Sequence, residues 1–276
     1  WFAYTGLYRL QPGTRALGSI HMTPTVIITG ASRGIGKVIA AELAQRGYNL
    51  MLAARSEAPL NAVREECEKI GAKAAACVLD ITTEEAAPTL RDATLDAFGP
   101  PWGLVNNAGM AESSPLAKTD DDLLQRHLDL NFFAPMRLMR AVLPRMVENK
   151  GGRVVNVCST AALSGYPYVS AYSASKHALL GATRSLAREF AQKGVTFNAV
   201  CPGYVRTEVF AGTIKNIVDK TGLDEVQAED KLKKLSPQYR IFEPIEVAHT
   251  IAFLLSEDAH GITGQAISID GGEIEH

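Results

Sequence analysis

Thr25-Val26-Ile27-Ile28-Thr29-Gly30-Ala31-Ser32-Arg33-Gly34-Ile35-Gly36 runs from an apolar, β-branched stretch straight into a cluster of three glycines. The interior of the first five residues is apolar without alternation, the pattern of a strand covered on both faces. From Gly34 to Arg46 the spacing predicts a helix. Glycines at such a junction allow a tight turn and bring backbone close to a ligand. The helix start adds free N–H groups and the positive end of a dipole. A glycine cluster alone says little. Between the first strand and first helix of a βαβ unit it predicts a pyrophosphate site, the plainer alternative being an ordinary strand-to-helix turn.

Outward from this junction the same alternation continues. Strand-like runs fall at Thr25–Thr29, Asn49–Ala53, Lys73–Leu79, Gly103–Asn106, Arg153–Cys158, Val195–Val200 and Gln265–Ile269. Helix-like stretches lie between them at Pro59–Ile70, Thr83–Ala97, Asp120–Val147 and Tyr172–Gln192. Repeated βα units imply an α/β fold, here a single-domain, doubly wound Rossmann fold with a seven-stranded parallel sheet and helices on both faces. No linker, repeat or low-complexity segment divides 22–276. Residues 208–242 break the rhythm with charged, amphipathic pieces such as IKNIVDK and DEVQAEDKLKKL. An excursion of that length reads as a substrate lid, or else as a solvated helical hairpin.

Composition narrows the function classes. Of 276 residues 46% are hydrophobic, enough for a large core, and the formal net charge is −2. That balance gives no electrostatic case for nucleic acid or an anionic membrane and favours a small-molecule substrate. No apolar run reaches the roughly 18 residues of a membrane span. The four cysteines (Cys67, Cys77, Cys158, Cys201) and six histidines are dispersed, so no metal site and no disulfide framework is expected. Reduced thiols suit a cytoplasmic protein. Residues 1–21, WFAYTGLYRLQPGTRALGSIH, look foreign to the rest and lack the features of a secretory signal. They read as an appended leader; the alternative is a native extension that packs on a neighbouring subunit.

The glycine spacing is Gly-x-x-x-Gly-x-Gly, and TGASRGIG resembles the glycine motif of the short-chain dehydrogenase/reductase family. Other motifs resembling that family follow in order: Asp80 after the third strand, Asn106-Asn107-Ala108-Gly109 after the fourth, Pro202-Gly203-Tyr204-Val205-Arg206-Thr207, and Ile269-Asp270-Gly271-Gly272. The match extends over about Thr25–Gly272. The resemblance implies a nicotinamide dinucleotide held by Gly30, Ser32, Arg33, Gly34, Ile35 and Gly36, with Asp80 on the adenine amino group beside Ile81. It places Asn107, Ala108 and Gly109 beside the adenosine ribose, and Pro202, Gly203, Val205 and Thr207 at the nicotinamide. It also implies a homotetramer or homodimer, and the C-terminal third resembles bacterial ketoacyl, polyketide and 3-hydroxybutyrate members.

Charge argues for the choice of cofactor. An acid at the end of the second strand would hold the ribose hydroxyls of NAD and repel a 2′-phosphate. Ala53-Ala54-Arg55 stands there instead, and Arg33 and Arg55 are placed to clamp that phosphate. NADP(H) is therefore the expected cofactor, NAD(H) remaining possible; each arginine taken singly could be a solvated surface residue.

Tyr172 and Lys176 form Tyr-x-x-x-Lys at a predicted helix start, and residues four apart share a helical face. A tyrosine hydroxyl has a pKa near ~10, so a neighbouring ammonium is expected to lower it. The spacing alone is weak. Ser159, thirteen residues before Tyr172, and Asn131 in the long fourth-to-fifth crossover complete the family's tetrad by resemblance. That resemblance makes Tyr172 the proton donor or acceptor, Ser159 the donor to the substrate oxygen, Lys176 a ligand of the nicotinamide ribose, and Asn131 the holder of a relay water. Tyr166 and Tyr168 lack a lysine four residues on and are read as pocket lining or packing. His177 is expected to face away, Cys158 to be buried, and Ser173 and Ser175 to be fillers.

The sequence thus points to NADPH-dependent reduction of a ketone or 3-oxoacyl group to a secondary alcohol, or the reverse oxidation. A polyol, sugar or steroid dehydrogenase on the same scaffold is the alternative. A non-catalytic dinucleotide-binding regulator would show a damaged tetrad, and this one is complete. The pocket is expected to draw on residues 161–169 and 208–242, with Leu163, Tyr166, Tyr168, Val209, Phe210 and Ile214 making it moderately apolar.

Overall fold

Strands and helices alternate along the computed structural model, which describes residues 23–275; the leader read at 1–21 lies outside the described residues. In chain order they are β1 (Thr25–Thr29), α1 (Gly34–Gln45), β2 (Asn49–Ala54), α2 (Glu57–Ile70), β3 (Ala74–Val78), α3 (Ala86–Phe98) and β4 (Gly103–Asn106). Then come α4 (Asp121–Leu128), α5 (Ala134–Glu148), β5 (Gly152–Val157), α6 (Ser170–Phe190) and β6 (Val195–Pro202). The series ends with α7 (Glu208–Thr221), α8 (Glu225–Lys233), α9 (Pro244–Leu255) and β7 (Ala266–Ile269). Among the described residues the seven strands form one sheet in the order β3-β2-β1-β4-β5-β6-β7, with every neighbouring pair parallel.

Side chains alternate across the sheet as the strand period requires. Val26 and Ile28 face one way, with Leu43 of α1, Leu60 of α2 and Ile251 of α9. Ile27 faces the other, with Leu90 of α3, Val142 of α5 and Phe197 of β6. Both faces are covered, which is why these strands carry no polar alternation. The chain winds outward from β1 to β3 and then returns to β4 beside β1. The turns after β1 and β4 therefore diverge, opening the crevice where such folds bind ligands.

Two elements differ from the sequence expectation. The helix expected over Asp120–Val147 is broken: α4 and α5 are joined by a wider, π-helical turn at Asp129–Phe133. Pro135 explains the break, because it has no N–H for the carbonyl of Asn131 four residues back, and its ring crowds that carbonyl. Helix α9 was not singled out, since PIEVAHTIAFLL is apolar nearly all round and shows little periodicity. It is a buried helix with Val247, Ala248, Ile251 and Leu254 fully covered. Its start does carry a legible signal, Pro244 in the first turn and a Glu243/Glu246 capping box.

The 208–242 excursion is the pair α7 and α8, with a small core of Phe210, Ile214, Ala228, Leu232 and Ile241. Phe210 and Ile214 therefore pack inside the pair. Two contacts tie it down: Asn216 Nδ2 donates to Ser113 Oγ at 3.1 Å, and Arg206 joins Glu229 of α8 to Glu243 before α9. After α8 the chain turns at Ser236, whose hydroxyl donates to the Asp270 carbonyl beyond β7 at 2.8 Å. Among the described residues no helix is long and apolar enough to cross a membrane.

Candidate active site

The turn after β1 is shaped for close backbone approach. Gly30 has φ +65°, and a Cβ there would lie 2.9 Å from the Ala108 backbone. A Cβ on Gly36 would collide with the Gly30 carbonyl. Arg33 ends the turn in extended conformation, and the first turn of α1 has no capping side chain and no acid. Its N–H groups are left to an anion. Across the switch point, Asn107 Nδ2 donates to the Thr29 carbonyl at 2.9 Å. Thr29 Oγ1 accepts from the backbone of Asn107 and of Ala108, each at 3.1 Å. The two turns that would flank a pyrophosphate and its ribose are thus one hydrogen-bonded unit.

Around this cradle stand the other expected residues. Asp80 follows β3 and accepts from the backbone and hydroxyl of Thr82 at 3.0 and 2.8 Å. Those bonds, the backbone one foremost, hold its carboxyl below the usual range. Ile81 is buried beside it. Arg55 Nη1 lies 4.0 Å from the Asp80 carboxylate, with 72% of its side chain exposed. Arg33 is exposed and makes no ion pair among the described residues. On the far side Pro202 and Val205 are buried, Val205 bridges to Phe242, and Thr207 caps α7. Gly34 faces Thr207 and Glu208, so the starts of α1 and α7 meet over the crevice. A cradle that excludes side chains, an uncapped helix start and an acid at the third strand fit a dinucleotide.

Tyr172 lies in the first turn of α6, and Ser159 follows β5 in extended conformation, bonded through its side chain to Tyr172. Lys176 is buried; its Nζ donates to the Val157 carbonyl at 2.8 Å and sits 5.9 Å from the Tyr172 ring centre. Nζ is also 3.4 Å from where a Gly109 Cβ would stand, so that glycine keeps the ammonium open toward the crevice. Asn131 is fully buried in the wide turn before α5. Its Oδ1 accepts from Met110 N at 2.9 Å, and its Nδ2 donates to the Met110 carbonyl and to Ser175 Oγ, both at 3.0 Å. The Asn131 amide is committed to protein. Its main-chain carbonyl has no N–H four residues on to pair with, since Pro135 stands there. All four residues of the expected tetrad converge.

One expectation is corrected. The Tyr172 phenol is not pulled down by Lys176; burial is the largest effect and pushes it up to about 12, against the opposing bond from Ser159. Burial lowers Lys176 as well. Desolvation thus outweighs the cation next door, and the protein by itself holds Tyr172 protonated. Ser175 is also more than a filler. Its hydroxyl donates to the Tyr172 carbonyl at 2.7 Å while accepting from Asn131, so it couples the two.

Several expected bystanders behave as read. His177 is exposed with its Nδ1 on the Ser173 carbonyl, and Cys158 is buried; Tyr168, read as pocket lining or packing, is instead exposed. Other residues escaped the sequence reading. Buried His127 holds the loop after β4, its Nε2 accepting from Glu112 N at 3.2 Å, and its ring meets Tyr172 edge-on at 6.3 Å. Its place four residues before Asn131 was an available signal. Glu273 reaches Tyr166 from beyond β7 at 2.5 Å, a contact that nothing local in the sequence announces.

The family model described as short chain dehydrogenase matches residues 24–217. An (S)-acetoin-forming diacetyl reductase of Staphylococcus epidermidis is 33% identical over 255 residues, covering 91% of this chain and 98% of that protein. A 3-oxoacyl-(acyl-carrier-protein) reductase of Vibrio cholerae is 34% identical over 246 residues, 89% of this chain and 95% of its own. Among solved structures, a variant of actinorhodin polyketide ketoreductase with NADPH superposes with TM-score 0.89 at 32% identity, covering 92% of this chain and 98% of that one. L-sorbose reductase from Gluconobacter frateurii, complexed with NADPH and L-sorbose, gives 0.87 at 28% identity, covering 92% and 97%.

Proposed function

The chain belongs to the short chain dehydrogenase family, and we propose that it reduces a ketone or 3-oxoacyl group to a secondary alcohol, or runs the reverse oxidation. One observation carries this reading: Tyr172, Ser159 and Lys176 meet at the mouth of a glycine cradle shaped for a dinucleotide. When bound, the reduced nicotinamide supplies the hydride. The chain supplies the rest. Ser159 donates a hydrogen bond to the carbonyl oxygen and steadies negative charge as it develops there. Tyr172, held protonated by burial, gives its proton to the same oxygen. Lys176 holds the nicotinamide ribose and offsets the phenolate left behind. A proton returns through the water that the Asn131 carbonyl would hold. Gly30, Ser32, Arg33, Gly34, Ile35 and Gly36 bind the pyrophosphate side, and Asp80, Ile81, Asn107, Ala108 and Gly109 the adenosine. Pro202, Gly203, Val205 and Thr207 bind the nicotinamide.

The preferred cofactor is NADP(H). No acid stands at Ala53-Ala54-Arg55, Arg55 faces Asp80, and Arg33 and Arg55 are exposed, free to take a 2′-phosphate. Helices α7 and α8 act as the lid, held to the β4 side by the Asn216–Ser113 bond. The working form is a homotetramer or homodimer, which light scattering on the purified protein checks. The decisive experiment follows NADPH absorbance against a ketone panel with wild type and Tyr172→Phe. Acid/base catalysis contributes about 10²–10⁴-fold, and the variant should lose at least that much kcat while still binding cofactor. Retention of more than a tenth of the wild-type kcat, roughly 10%, would remove Tyr172 from the mechanism.

A further inference from the structure

The segment after β7 is fixed in place. Asp270, buried, accepts from the backbone of Gly272 at 3.0 Å and of Ile274 at 3.1 Å. Gly271 has φ +66°, and a Cβ there would stand 2.5 Å from Ser236 Oγ, so the chain turns where a larger residue would not fit. This geometry delivers the Glu273 side chain back over Gly203, at the end of β6. Its Oε1 accepts from Tyr166 Oη at 2.5 Å, and its Oε2 lies 3.3 Å from where a Gly203 Cβ would be. Tyr166 is bonded in turn to the side chain of Thr160, the residue after Ser159. Glu273 therefore stands between Tyr166, tied to the turn after Ser159, and the Pro202-Gly203 segment, which the proposed function places at the substrate carbonyl and the nicotinamide.

The carboxylate has one protein donor among the described residues, Tyr166. It is half-buried, burial raises its pKa, and its charged neighbour is Asp270, a like charge. Among the described residues no lysine, arginine or histidine pairs with it. One phenol serves one oxygen, whereas a carboxylate accepts about four hydrogen bonds. A half-buried carboxylate with one protein donor can accept further hydrogen bonds from a ligand that donates, and repels one that carries its own carboxylate.

We propose that Glu273, positioned by Tyr166, is the specificity-determining residue of the substrate pocket, selecting ketones with a hydrogen-bond-donating substituent and rejecting ketones with a carboxylate. The inference rests on the carbonyl reductase reading and deepens it. Hydroxyl and ammonium groups share the donor chemistry, and the ammonium adds attraction to a charged Glu273.

The test uses the full chain with NADPH and four matched methyl ketones: acetone, hydroxyacetone, aminoacetone and pyruvate. The readout is the ratio of kcat/KM for each substituted ketone to that for acetone, within each protein, so a partly folded preparation cancels. A hydrogen bond to a charged group corresponds to roughly 10- to 100-fold in that ratio. Wild type should favour hydroxyacetone and aminoacetone by about that factor. Glu273→Gln should lose most of the preference for aminoacetone and gain on pyruvate, with hydroxyacetone intermediate because Gln still accepts. Tyr166→Phe, which frees the carboxylate, should keep the sign of the preferences while reducing their size. Ratios unchanged in Glu273→Gln overturn the proposal, as does equal loss on every ketone, which marks a structural role. If wild type turns over none of these ketones, nor any in the wider panel, the carbonyl reductase reading itself falls.

Discussion

Two serines two residues apart on α6 should respond to the same substitution in opposite ways. Ser175 Oγ is fully buried, accepts from Asn131 Nδ2 at 3.0 Å and donates to the Tyr172 carbonyl at 2.7 Å. In Ser175→Ala one N–H of the buried Asn131 amide has no partner, a desolvation cost of roughly 1–3 kcal/mol. Ser173 Oγ is buried without a partner among the described residues, so Ser173→Ala removes an unsatisfied hydroxyl and should be neutral or slightly stabilising. For a chain of this size each kcal/mol moves Tm by about 2–4 °C. Urea unfolding and thermal melts on both variants measure the difference, with the denaturant slope checked for constancy. Ser175→Ala should also lower kcat more than it raises KM, because Asn131 and Tyr172 lose their common tie. Equal stability losses in the two variants, or a larger loss in Ser173→Ala, would refute the assignment of Ser175 as the bridge.

Gly36→Ala should abolish dinucleotide binding, since its Cβ would meet the Gly30 carbonyl, whereas Gly181→Ala in α6, with nothing near its Cβ position, should fold and bind as wild type; fluorescence titration with NADPH checks both. Arg55→Ala should weaken NADPH by about 10- to 100-fold and leave NADH nearly unchanged, measured in the same way. Tyr172 titrates higher in the folded protein, about 12, than in the unfolded chain, so it contributes stability below pH ~10 that is lost as pH rises from there toward 12. Melting curves from pH 8 upward should accordingly show a smaller alkaline loss for Tyr172→Phe than for wild type.

Strand positions were legible because a parallel sheet buried on both faces demands apolar, β-branched runs, and the seven runs differ from the strands by two residues or fewer at each end. The glycine turn and the Tyr172/Lys176 pair were legible because local spacing creates them. What escaped depends on residues distant in sequence or on solvation. The break at Asn131 follows from Pro135, yet a single proline in an amphipathic run says kink without saying where the turn widens. Ser175 looks like any helix-surface serine until Asn131 arrives from another element. Glu273 lies 107 residues from Tyr166, and only the fold closes that distance. The sign of the Tyr172 shift depended on how deeply α6 is covered, and spacing carries no information about depth.

The hydrogen bond from Ser236 to the Asp270 carbonyl also bears on the order of assembly. Six strands and the α7–α8 pair precede β7 in the chain, and Ser236, at the turn leaving α8, gains its bond only when the segment after β7 docks. The two ends of that bond lie 34 residues apart on different elements, so it forms only once both have docked. Refolding should therefore pass through a species with most of its sheet formed, the Ser236 turn not yet pinned and apolar surface beside β6 exposed, the kind of intermediate that aggregates. Recovery of catalysis would then lag behind recovery of helical signal, with docking of the last strand and its tail as the step that separates them.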